Sequence, residues 1–531
     1  MSRIEHRAFA GGISGLASFV STLGIAVLQV PILLRYWPAE AYGTWILVGT
    51  VTAFLTVLDL GHQNYVGNLF IGLSVESRPA LKIALGSAIR VAFVIGLVQV
   101  AVAVCLLAPA IQNWVLKDGA IAWRAQKAGW ATCLYLCYWA IFSSVGGVLV
   151  RLYLTNQLFA RGQWLGTAMR VGGFVSLVAS VGLGANLLTA MLVSILANVI
   201  LNIGMLWDLR RRLPDLFPWW QSGDWLTGWT NLCRSTVLMG NGILEQIGMN
   251  GLIIVIGRFA APLAIAAFTT QRTVANVAIQ AASILMTPLL PELVRYHIGR
   301  EPAKVTAVLS ASWFLNGWWV SLGFAVAPVA VVRIYGMWTH GAVPFIPPLF
   351  AALAGAVVVR QWATPMSVYI GGLNRLFPQT IAAVIRAASA FGCAALLLPI
   401  YGVAGASLGL LIGEILAAGV MLAATSHLLR GIGGEFPWRS AVLALAQISL
   451  TAVPLGLFAW GVNGLAPWVV SACVGISFIT FWQWRELPAD VGTRMAASAN
   501  SFLAMIWRTP VSWRARFLSY CHALAGSHRN G

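Results

Sequence analysis

Charged residues are scarce in this chain of 531 residues. They make up 9% of it, whereas hydrophobic residues make up 59%, and a soluble domain carries about 25% charged residues. No single core can bury that much apolar surface, which excludes a soluble fold. Apolar stretches of about 20 residues, the length that crosses the hydrocarbon layer, recur from Ala10 to residue 483. The composition therefore predicts an all-α protein that crosses the membrane many times.

Cysteine is also scarce, and its spacing excludes two kinds of site. The seven cysteines are an odd number, most lie inside apolar runs, and no Cys/His spacing is that of a zinc site. We therefore expect neither a disulfide framework nor a bound metal. The glycine spacing of a phosphate-binding P-loop is absent as well, so we expect no ATP hydrolysis within this chain and no cofactor.

Carboxylates are outnumbered, with 15 Asp and Glu against 33 Lys and Arg, for a net charge of +18. The basic residues lie mainly between apolar segments, and no nucleic-acid-binding module accompanies them, so no nucleic-acid partner is expected. Positive residues in short loops mark the cytoplasmic side and its anionic lipids. With the N-terminus inside, the inner segments hold 21 basic residues and the outer loops six. This asymmetry predicts that both termini are cytoplasmic.

The apolar runs predict fourteen membrane spans. The first seven cover about residues 10–34, 42–70, 83–110, 129–150, 164–184, 186–207 and 234–257. The second seven cover about residues 260–290, 305–333, 346–370, 378–399, 403–424, 441–462 and 465–483.

The spans predict the following organisation. Residues 1–9 form a cytoplasmic N-terminus, and 10–207 hold helices 1–6 of a first lobe. A cytoplasmic interfacial linker covers 208–233, and helix 7 covers 234–257. Residues 260–483 hold helices 8–14 of a second lobe. Residues 484–531 combine arginines with aromatic and aliphatic residues, a pattern typical of an amphipathic tail that lies on the membrane surface.

Two motifs carry a resemblance to a known family. The run from Arg35 to Gly43, followed by Asp59-Leu60-Gly61, resembles the opening signature of Wzx-type polysaccharide flippases. These belong to the multidrug/oligosaccharidyl-lipid/polysaccharide exporter superfamily. The stretch from Leu398 to Ala406 resembles the second recurrent motif of the family. The chain departs from the family pattern at Tyr36-Trp37, where Leu-Gly is frequent, and at Asn250, where many members carry aspartate.

The resemblance implies a fold of two pseudo-symmetric seven-helix lobes around a central cavity. It also implies a secondary transporter, not an enzyme, in the bacterial inner membrane. Such a protein flips an undecaprenyl-pyrophosphate-linked oligosaccharide by alternating access for the synthesis of surface polysaccharide such as O-antigen or exopolysaccharide. The implied partners are this lipid-linked oligosaccharide, membrane lipids and the polymerase and glycosyltransferase machinery. Whether a coupling ion takes part is left open.

Nine charged residues fall within the predicted spans. Six are arginines, Arg90, Arg170, Arg234, Arg272, Arg360 and Arg386, and three are carboxylates, Asp59, Glu245 and Glu414. A charge at the centre of a transmembrane helix costs about 2.5–3.5 kcal/mol on insertion scales. Four of the arginines are near enough to the cytoplasmic end for their side chains to reach the headgroups. Arg272 and Arg360 are too deep, so each needs a carboxylate partner or, the interpretation we favour, a water-filled cavity.

Polar residues recur at helical spacing beside these charges. Thr269, Thr273, Asn276 and Gln280 share the face of the eighth span that Arg272 borders, and similar stripes follow the first, second and tenth spans. The stripes predict one polar lumen with an excess of positive charge. The candidate substrate-binding residues are Arg272, Arg360, Arg386, Arg170, Arg90, Asn276 and Gln280. The carboxylates Asp59, Glu245 and Glu414 are predicted to be charge partners of the arginines or to bind a coupling ion.

Two other classes of function stay open. A multidrug or cation exporter of the related branch would need a cavity rich in carboxylates, and the excess of arginine counts against it. A membrane glycosyltransferase or polysaccharide ligase would need a large outer loop that carries catalytic groups. The longest outer loop here covers about residues 111–128, and Asp118 is its one carboxylate.

Overall fold

The computed structural model describes residues 3–59, 61–116, 120–125, 127–154, 158–286, 290–373 and 375–487. Within these ranges the chain folds into α-helices with short 3₁₀ and π segments and contains no β-strand. The α-helices are α1 (Arg3–Tyr36), α2 (Ala39–Thr56), α3 (His62–Glu76), α4 (Arg78–Cys105), α5 (Pro109–Leu116), α6 (Ala120–Ala125), α7 (Ala128–Tyr138), α8 (Gly146–Val150), α9 (Phe159–Gly182), α10 (Leu187–Arg212), α11 (Trp225–Phe259), α12 (Pro262–Met286), α13 (Leu290–Ile298), α14 (Pro302–Trp338), α15 (Pro347–Gly372), α16 (Leu376–Tyr401), α17 (Val403–Gly431), α18 (Trp438–Ala459) and α19 (Ala466–Glu486).

Twelve helical segments of the described residues are long and apolar enough to cross a membrane. The prediction of an all-α protein with many membrane crossings is therefore confirmed. The predicted spans at 234–257 and 260–290 are not among the twelve. They fall on α11 and α12, which have 35 and 25 residues. α12 carries Gln271, Arg272, Asn276 and Gln280, which lower its mean hydropathy although its length suffices to span.

The predicted second span, 42–70, is wrong as one continuous helix. α2 ends at Thr56, a 3₁₀ turn covers Val57–Asp59, and α3 begins at His62. Gly61 adopts φ 70°, a left-handed conformation in which glycine has no steric cost. The break lies beside Asp59, so this carboxylate ends one helix and precedes the next.

The first half of the chain contains a second irregular span. α7 and α8 are joined by a seven-residue π-helix, Trp139–Val145, and the three segments together form one crossing, Ala128–Tyr153. π-Helical turns are rare and occur frequently at functional sites. The π-helix rotates the side chains that follow it, relative to the positions that they would take in a continuous α-helix.

Helices from the two halves of the chain meet at its centre. A Cβ added at Gly43 in α2 would overlap the carbonyl oxygen of Pro262, the first residue of α12. α11 packs against α2, α3 and α4 on one side and against α16 on the other. Buried apolar residues from both halves, among them Leu47, Leu252 and Leu353, form one core cluster. This core brings α11, α12, α15 and α16 together around the deepest charged residues.

Several predicted segment boundaries shift. α1 begins at Arg3 rather than near residue 10, and the segment between α10 and α11 covers 213–224 rather than 208–233. The predicted amphipathic tail lies outside the described residues from residue 488 onwards. The division into two lobes at these boundaries stays a prediction.

Candidate functional site

Glu414 in α17 lies between two of the predicted arginines. Its Oε2 atom is 3.0 Å from Nε of Arg386 in α16, and its Oε1 atom is 3.4 Å from Nη1 of Arg360 in α15. The Glu414 side chain is 9% exposed, and those of Arg360 and Arg386 are 24% and 20% exposed. Ionised donors and acceptors form stronger hydrogen bonds than neutral groups do. One carboxylate therefore joins three helices in the second half of the chain.

A stripe of glycines in α17 explains why Glu414 can reach Arg386. Gly405, Gly409 and Gly413 follow one another at four-residue spacing and face α16. A Cβ at Gly409 would lie 2.8 Å from the carbonyl oxygen of Ser389, and one at Gly413 would lie 3.1 Å from the Arg386 Cα. Small residues allow membrane helices to approach each other this closely. The stripe thereby brings Glu414, the next residue after Gly413, beside Arg386.

Arg360 and Arg272 lie in α15 and α12, which pack against each other. Gln361, adjacent to Arg360 in α15, accepts a hydrogen bond of 2.9 Å from Asn316 of α14, which fixes this part of α15. Arg272 in α12 places its guanidinium 5.9 Å from the centre of the ring of Phe268, which lies one turn earlier in the same helix. The described structure therefore brings together Arg360, Arg386 and Glu414, which we call the Glu414 cluster. Arg272 does not line the pocket at this cluster.

The pocket at the Glu414 cluster is narrow. It has a volume of about 30 Å³ and is lined by Arg360, Arg386, Glu414 and residues of α11 such as Leu244 and Gly248. A cavity of roughly 10–15 Å³ holds one water, so this pocket has room for two or three water molecules. The favoured expectation of a water-filled cavity that forms one lumen stays a prediction. The carboxylate partner, the alternative, is what the structure contains.

Glu245 lies in α11, one residue after Leu244, but its side chain is outside the part of the structure that is described. Its predicted role as a charge partner or coupling residue stays a prediction.

The other predicted arginines belong to separate surroundings. Arg170 in α9 donates to the hydroxyl oxygens of Ser18 and Thr22, the latter at 2.6 Å, so the polar stripe of α1 holds this guanidinium. Arg90 in α4 lies 5.9 Å from the centre of the Trp225 ring at the start of α11. Neither residue lines the pocket at Glu414. The predicted arginines therefore lie in at least two separate places in the described structure.

The polar stripe of α12 is largely used within its own helix. The Thr269 and Thr273 hydroxyls donate to the carbonyl oxygens of Ile265 and Thr269, at 2.7 and 2.9 Å. Asn276 and Gln280 are half-buried further along the same helix. Their predicted contact with a substrate stays a prediction.

Asp59 and His62 form a second buried polar site, at the break between α2 and α3. Oδ2 of Asp59 accepts from the backbone N–H of Gln63 at 3.2 Å, and His62 Nε2 lies 3.2 Å from the carbonyl oxygen of Ala88. Asp59 Oδ1 and His62 Nδ1 are buried and have no hydrogen-bond partner among the described residues. The hydrogen bond of His62 agrees with a local structural role. The coupling role predicted for Asp59 stays a prediction.

An apolar cavity of about 340 Å³ lies where the two halves of the chain meet. Its lining includes Val51 of α2, Val102 of α4, Ile254 of α11 and Phe391 of α16. This volume falls within the range of about 300–1,000 Å³ that is typical of ligand pockets. Sequence reasoning missed it, because apolar residues in membrane helices give no signal that separates a cavity wall from a packed interface.

Comparison with known proteins gives the fold. No family model and no curated protein sequence matches the chain. The inward-facing conformation of a multidrug resistance MATE family transporter of the MOP superfamily is 14% identical, with a TM-score of 0.59 over 77% of this chain and 95% of that one. The lipid II flippase MurJ, in its inward closed conformation, is 11% identical, with a TM-score of 0.59 over 90% and 99%.

A third solved structure, of MATE in complex with MaL6, is 14% identical and has a TM-score of 0.53 over 80% of this chain and 96% of that one. The matches cover almost the whole length of the solved proteins, which have two lobes of helices. This chain therefore is a multi-pass membrane protein with the fold that MATE transporters of the MOP superfamily share with the lipid II flippase MurJ.

Proposed function

We propose that this protein is a Wzx-type flippase of the bacterial inner membrane. It moves an anionic oligosaccharide linked to an undecaprenyl-pyrophosphate type of lipid by alternating access, and it serves the synthesis of a surface polysaccharide. The observation that carries the proposal is the Glu414 cluster, in which two arginines pair with one carboxylate. The planar guanidinium fork matches the oxygens of phosphate groups.

The cluster supplies a mechanism for binding an anion. In the described conformation, Glu414 occupies both Arg360 and Arg386. A pyrophosphate that enters between α15 and α16 competes with this carboxylate for the two guanidinium groups. Exchange of one anion for another keeps both arginines paired in both states, while the displaced Glu414 carboxylate takes up a proton and stays neutral. Glu414 is the group displaced, and its release breaks the ion pairs that join α17 to α15 and α16.

The fold and the cluster support this proposal in different ways. One solved structure with this fold is the lipid II flippase MurJ, whose name specifies a lipid-linked substrate. Another is a multidrug resistance transporter. The fold alone thus supports transport of either kind of substrate. The arginines favour the anion, because a cation exporter would need an excess of carboxylate at its binding site.

A multidrug exporter is the second candidate function, and the apolar cavity of about 340 Å³ favours it. An amphipathic drug would fit such a cavity without any contact with the arginines. Efflux of ethidium from cells that express this protein separates the two candidates. An exporter accelerates efflux several-fold over a strain without the protein, whereas the proposed flippase leaves it unchanged.

Deletion of the gene in its native host tests the proposed function directly. We expect loss of a surface polysaccharide and accumulation of its lipid-linked precursor with the sugar facing the cytoplasm, and we expect the wild-type chain to reverse both changes. Immunoblots of the polysaccharide and radiolabelled lipid extracts measure them. Normal polysaccharide in the deletion strain, with no second flippase gene in the genome, contradicts the proposal.

A further inference from the structure

A second polar cavity, which we call the α9 chamber, lies in the first half of the chain. Its volume is about 550 Å³, and it shares no lining residue with the pocket at Glu414. α9 and α10 form one wall, and the π-helical segment Trp139–Val145 with the ends of α7 and α8 forms another. The volume is typical of ligand pockets. The chamber is large enough to hold a ligand rather than a few water molecules.

Glycines of α9 line one side of the chamber. Gly162, Gly166 and Gly173 lie on one face of the helix, at i, i+4 and i+11, and all three line the chamber. No described atom lies within 4 Å of the position that a Cβ of Gly166 would take. A side chain at this position would therefore enter the open space without overlapping a neighbour. At Gly166 the wall of the chamber therefore consists of backbone atoms alone.

Aromatic rings line the opposite wall. Tyr138 and Phe142 stack with centroids 5.8 Å apart, and Trp139 stacks on Tyr135 at 6.3 Å. The Nε1 atom of Trp139 is buried and has no hydrogen-bond partner among the described residues, although a buried indole N–H usually has one. An aromatic face beside an unpaired donor suits a ligand with C–H faces and hydroxyl groups, as a sugar ring has.

Neutral amides complete the polar lining. The side-chain NH₂ group of Asn202 donates to the Tyr138 hydroxyl at 3.0 Å, and that of Asn198 donates to the Ser194 carbonyl at 2.8 Å. These bonds use donors and orient the amides, whose oxygens are the acceptors that hydroxyl groups need. Gln163 adds a third amide. A row of amides is typical of recognition of neutral polar groups rather than of phosphate.

Two arginines give the chamber its charge. Arg170 donates to Ser18 and Thr22, and Arg151 donates to Asn64 at 2.6 Å. Neither forms an ion pair with a described residue, and no Asp or Glu lines the chamber. Asp59 acts on Arg151 through space, but Arg170 is held by neutral groups alone. The chamber therefore attracts a carboxylate.

We propose that the α9 chamber binds the sugar moiety of the substrate and selects an oligosaccharide that carries a carboxylate. The inference rests on the proposed function and assigns a separate site to the glycan. The Glu414 cluster holds the pyrophosphate, whereas the aromatic rings, amides and arginines of the chamber contact the sugars. Specificity for one polysaccharide then lies in the first half of the chain.

Filling the chamber tests the inference. Gly166→Leu places a side chain into the open space, and leucine is also a better helix former than glycine. Gly204→Leu is the matched control, since Gly204 in α10 is exposed, does not line the chamber and has no described atom within 4 Å of its Cβ position. We expect Gly166→Leu to lower surface polysaccharide more than tenfold at an unchanged level in the membrane, while Gly204→Leu supports the wild-type amount.

Titration calorimetry on the purified full chain identifies the ligand class with three probes. These are trigalacturonate, which is an acidic trisaccharide, maltotriose, which is neutral, and inorganic pyrophosphate. We expect trigalacturonate to bind at least tenfold more tightly than maltotriose. We expect this binding to be lost in Gly166→Leu and weakened in Trp139→Phe, which keeps an aromatic ring but removes the indole N–H. Pyrophosphate binding is expected to persist in both variants.

The outcomes separate this inference from the proposed function. Full rescue by Gly166→Leu in a strain that the wild-type chain rescues overturns the chamber and spares the flippase. Competition between pyrophosphate and trigalacturonate for one site, or equal binding of the acidic and neutral probes, also overturns it. If Gly166→Leu fails to reach the membrane, the trigalacturonate affinity of Trp139→Phe is the test. An unchanged affinity in that variant contradicts the inference.

Discussion

Replacing Arg360 or Arg386 with alanine is expected to lower surface polysaccharide at least tenfold. Each substitution removes a guanidinium group that pairs with Glu414 in the described conformation. In the proposed substrate-bound state, the same group binds a phosphate. A hydrogen bond to a charged group is worth about 1.5–3 kcal/mol, which corresponds to a loss of roughly ten- to a hundredfold in the rate of flipping. Rescue of the deletion strain, with immunoblots of the polysaccharide, measures the effect.

Arg430→Ala is the control for this prediction. Arg430 is exposed at the end of α17, the helix that carries Glu414, and its Nε donates within its own helix, to the carbonyl oxygen of Ser426. We expect this variant to support the wild-type amount of polysaccharide. Arg272→Ala is also expected to lower surface polysaccharide, because Arg272 is a predicted substrate-binding residue on α12, the helix that packs against α15. Full rescue by Arg360→Ala and Arg386→Ala would leave these residues with a structural role alone.

Arg360→Lys tests whether the positive charge at position 360 or the planar shape of the guanidinium group matters for flipping. Arg360→Lys keeps the positive charge but loses the planar fork that binds two oxygens at once. We expect an activity between those of the wild type and Arg360→Ala. An activity equal to that of the wild type would show that the cluster attracts the substrate through its positive electrostatic potential and not through paired hydrogen bonds.

Glu414→Gln has a different expected result, since it acts first on stability. It leaves Arg360 and Arg386 facing a neutral amide, and removal of one partner from a buried ion pair costs about 3–5 kcal/mol. We therefore expect less protein in the membrane. The double variant Glu414→Gln with Arg386→Gln removes one charge of each sign, and we expect it to restore the protein level but not the polysaccharide. Restoration of both would contradict a role of Arg386 in substrate binding.

The positions of the helices were largely predictable from the sequence, and their interruptions were not. The predicted span 305–333 falls within α14, and 347–372 in α15 corresponds to a predicted 346–370, because an apolar run long enough to cross the bilayer leaves few alternatives. The break at Gly61 and the π-helix at Trp139–Val145 left no such signal. Both depend on local backbone geometry, to which mean hydropathy is insensitive.

The charged residues of the site were also predictable, but their pairing was not. A charge within an apolar run is visible in the sequence and marks a functional position. That Glu414 serves both Arg360 and Arg386 depends on how closely α17 approaches α16, and the residues are 54 and 28 positions apart. The sequence contained one usable signal, the four-residue spacing of Gly405, Gly409 and Gly413, which indicates a close helix contact on the face next to Glu414.

That contact leads to the second prediction with a large expected effect, made for Gly409→Leu. A Cβ at this position would lie 2.7 Å from Cys393 Cβ and 2.8 Å from the Ser389 carbonyl oxygen, and real Cβ atoms do not approach neighbours so closely. The larger side chain must push α17 away from α16. Overpacking typically costs about 1–3 kcal/mol, and more where backbone has to move. We expect the amount of folded protein in the membrane to fall several-fold and the remaining protein to flip substrate at least tenfold more slowly.

Gly419→Leu is the matched control on the same helix, since Gly419 is exposed and no described atom lies within 4 Å of its Cβ position. Immunoblots of membranes and size-exclusion chromatography of the purified variants measure folding, and rescue normalised to protein level measures flipping. The two effects have separate origins. Lost packing lowers the amount of protein, whereas a displaced α17 carries Glu414 away from Arg386 and disturbs the cluster in the molecules that still fold. If Gly409→Leu lowered the protein level but left the normalised activity unchanged, the position of Glu414 relative to Arg386 would not matter for transport.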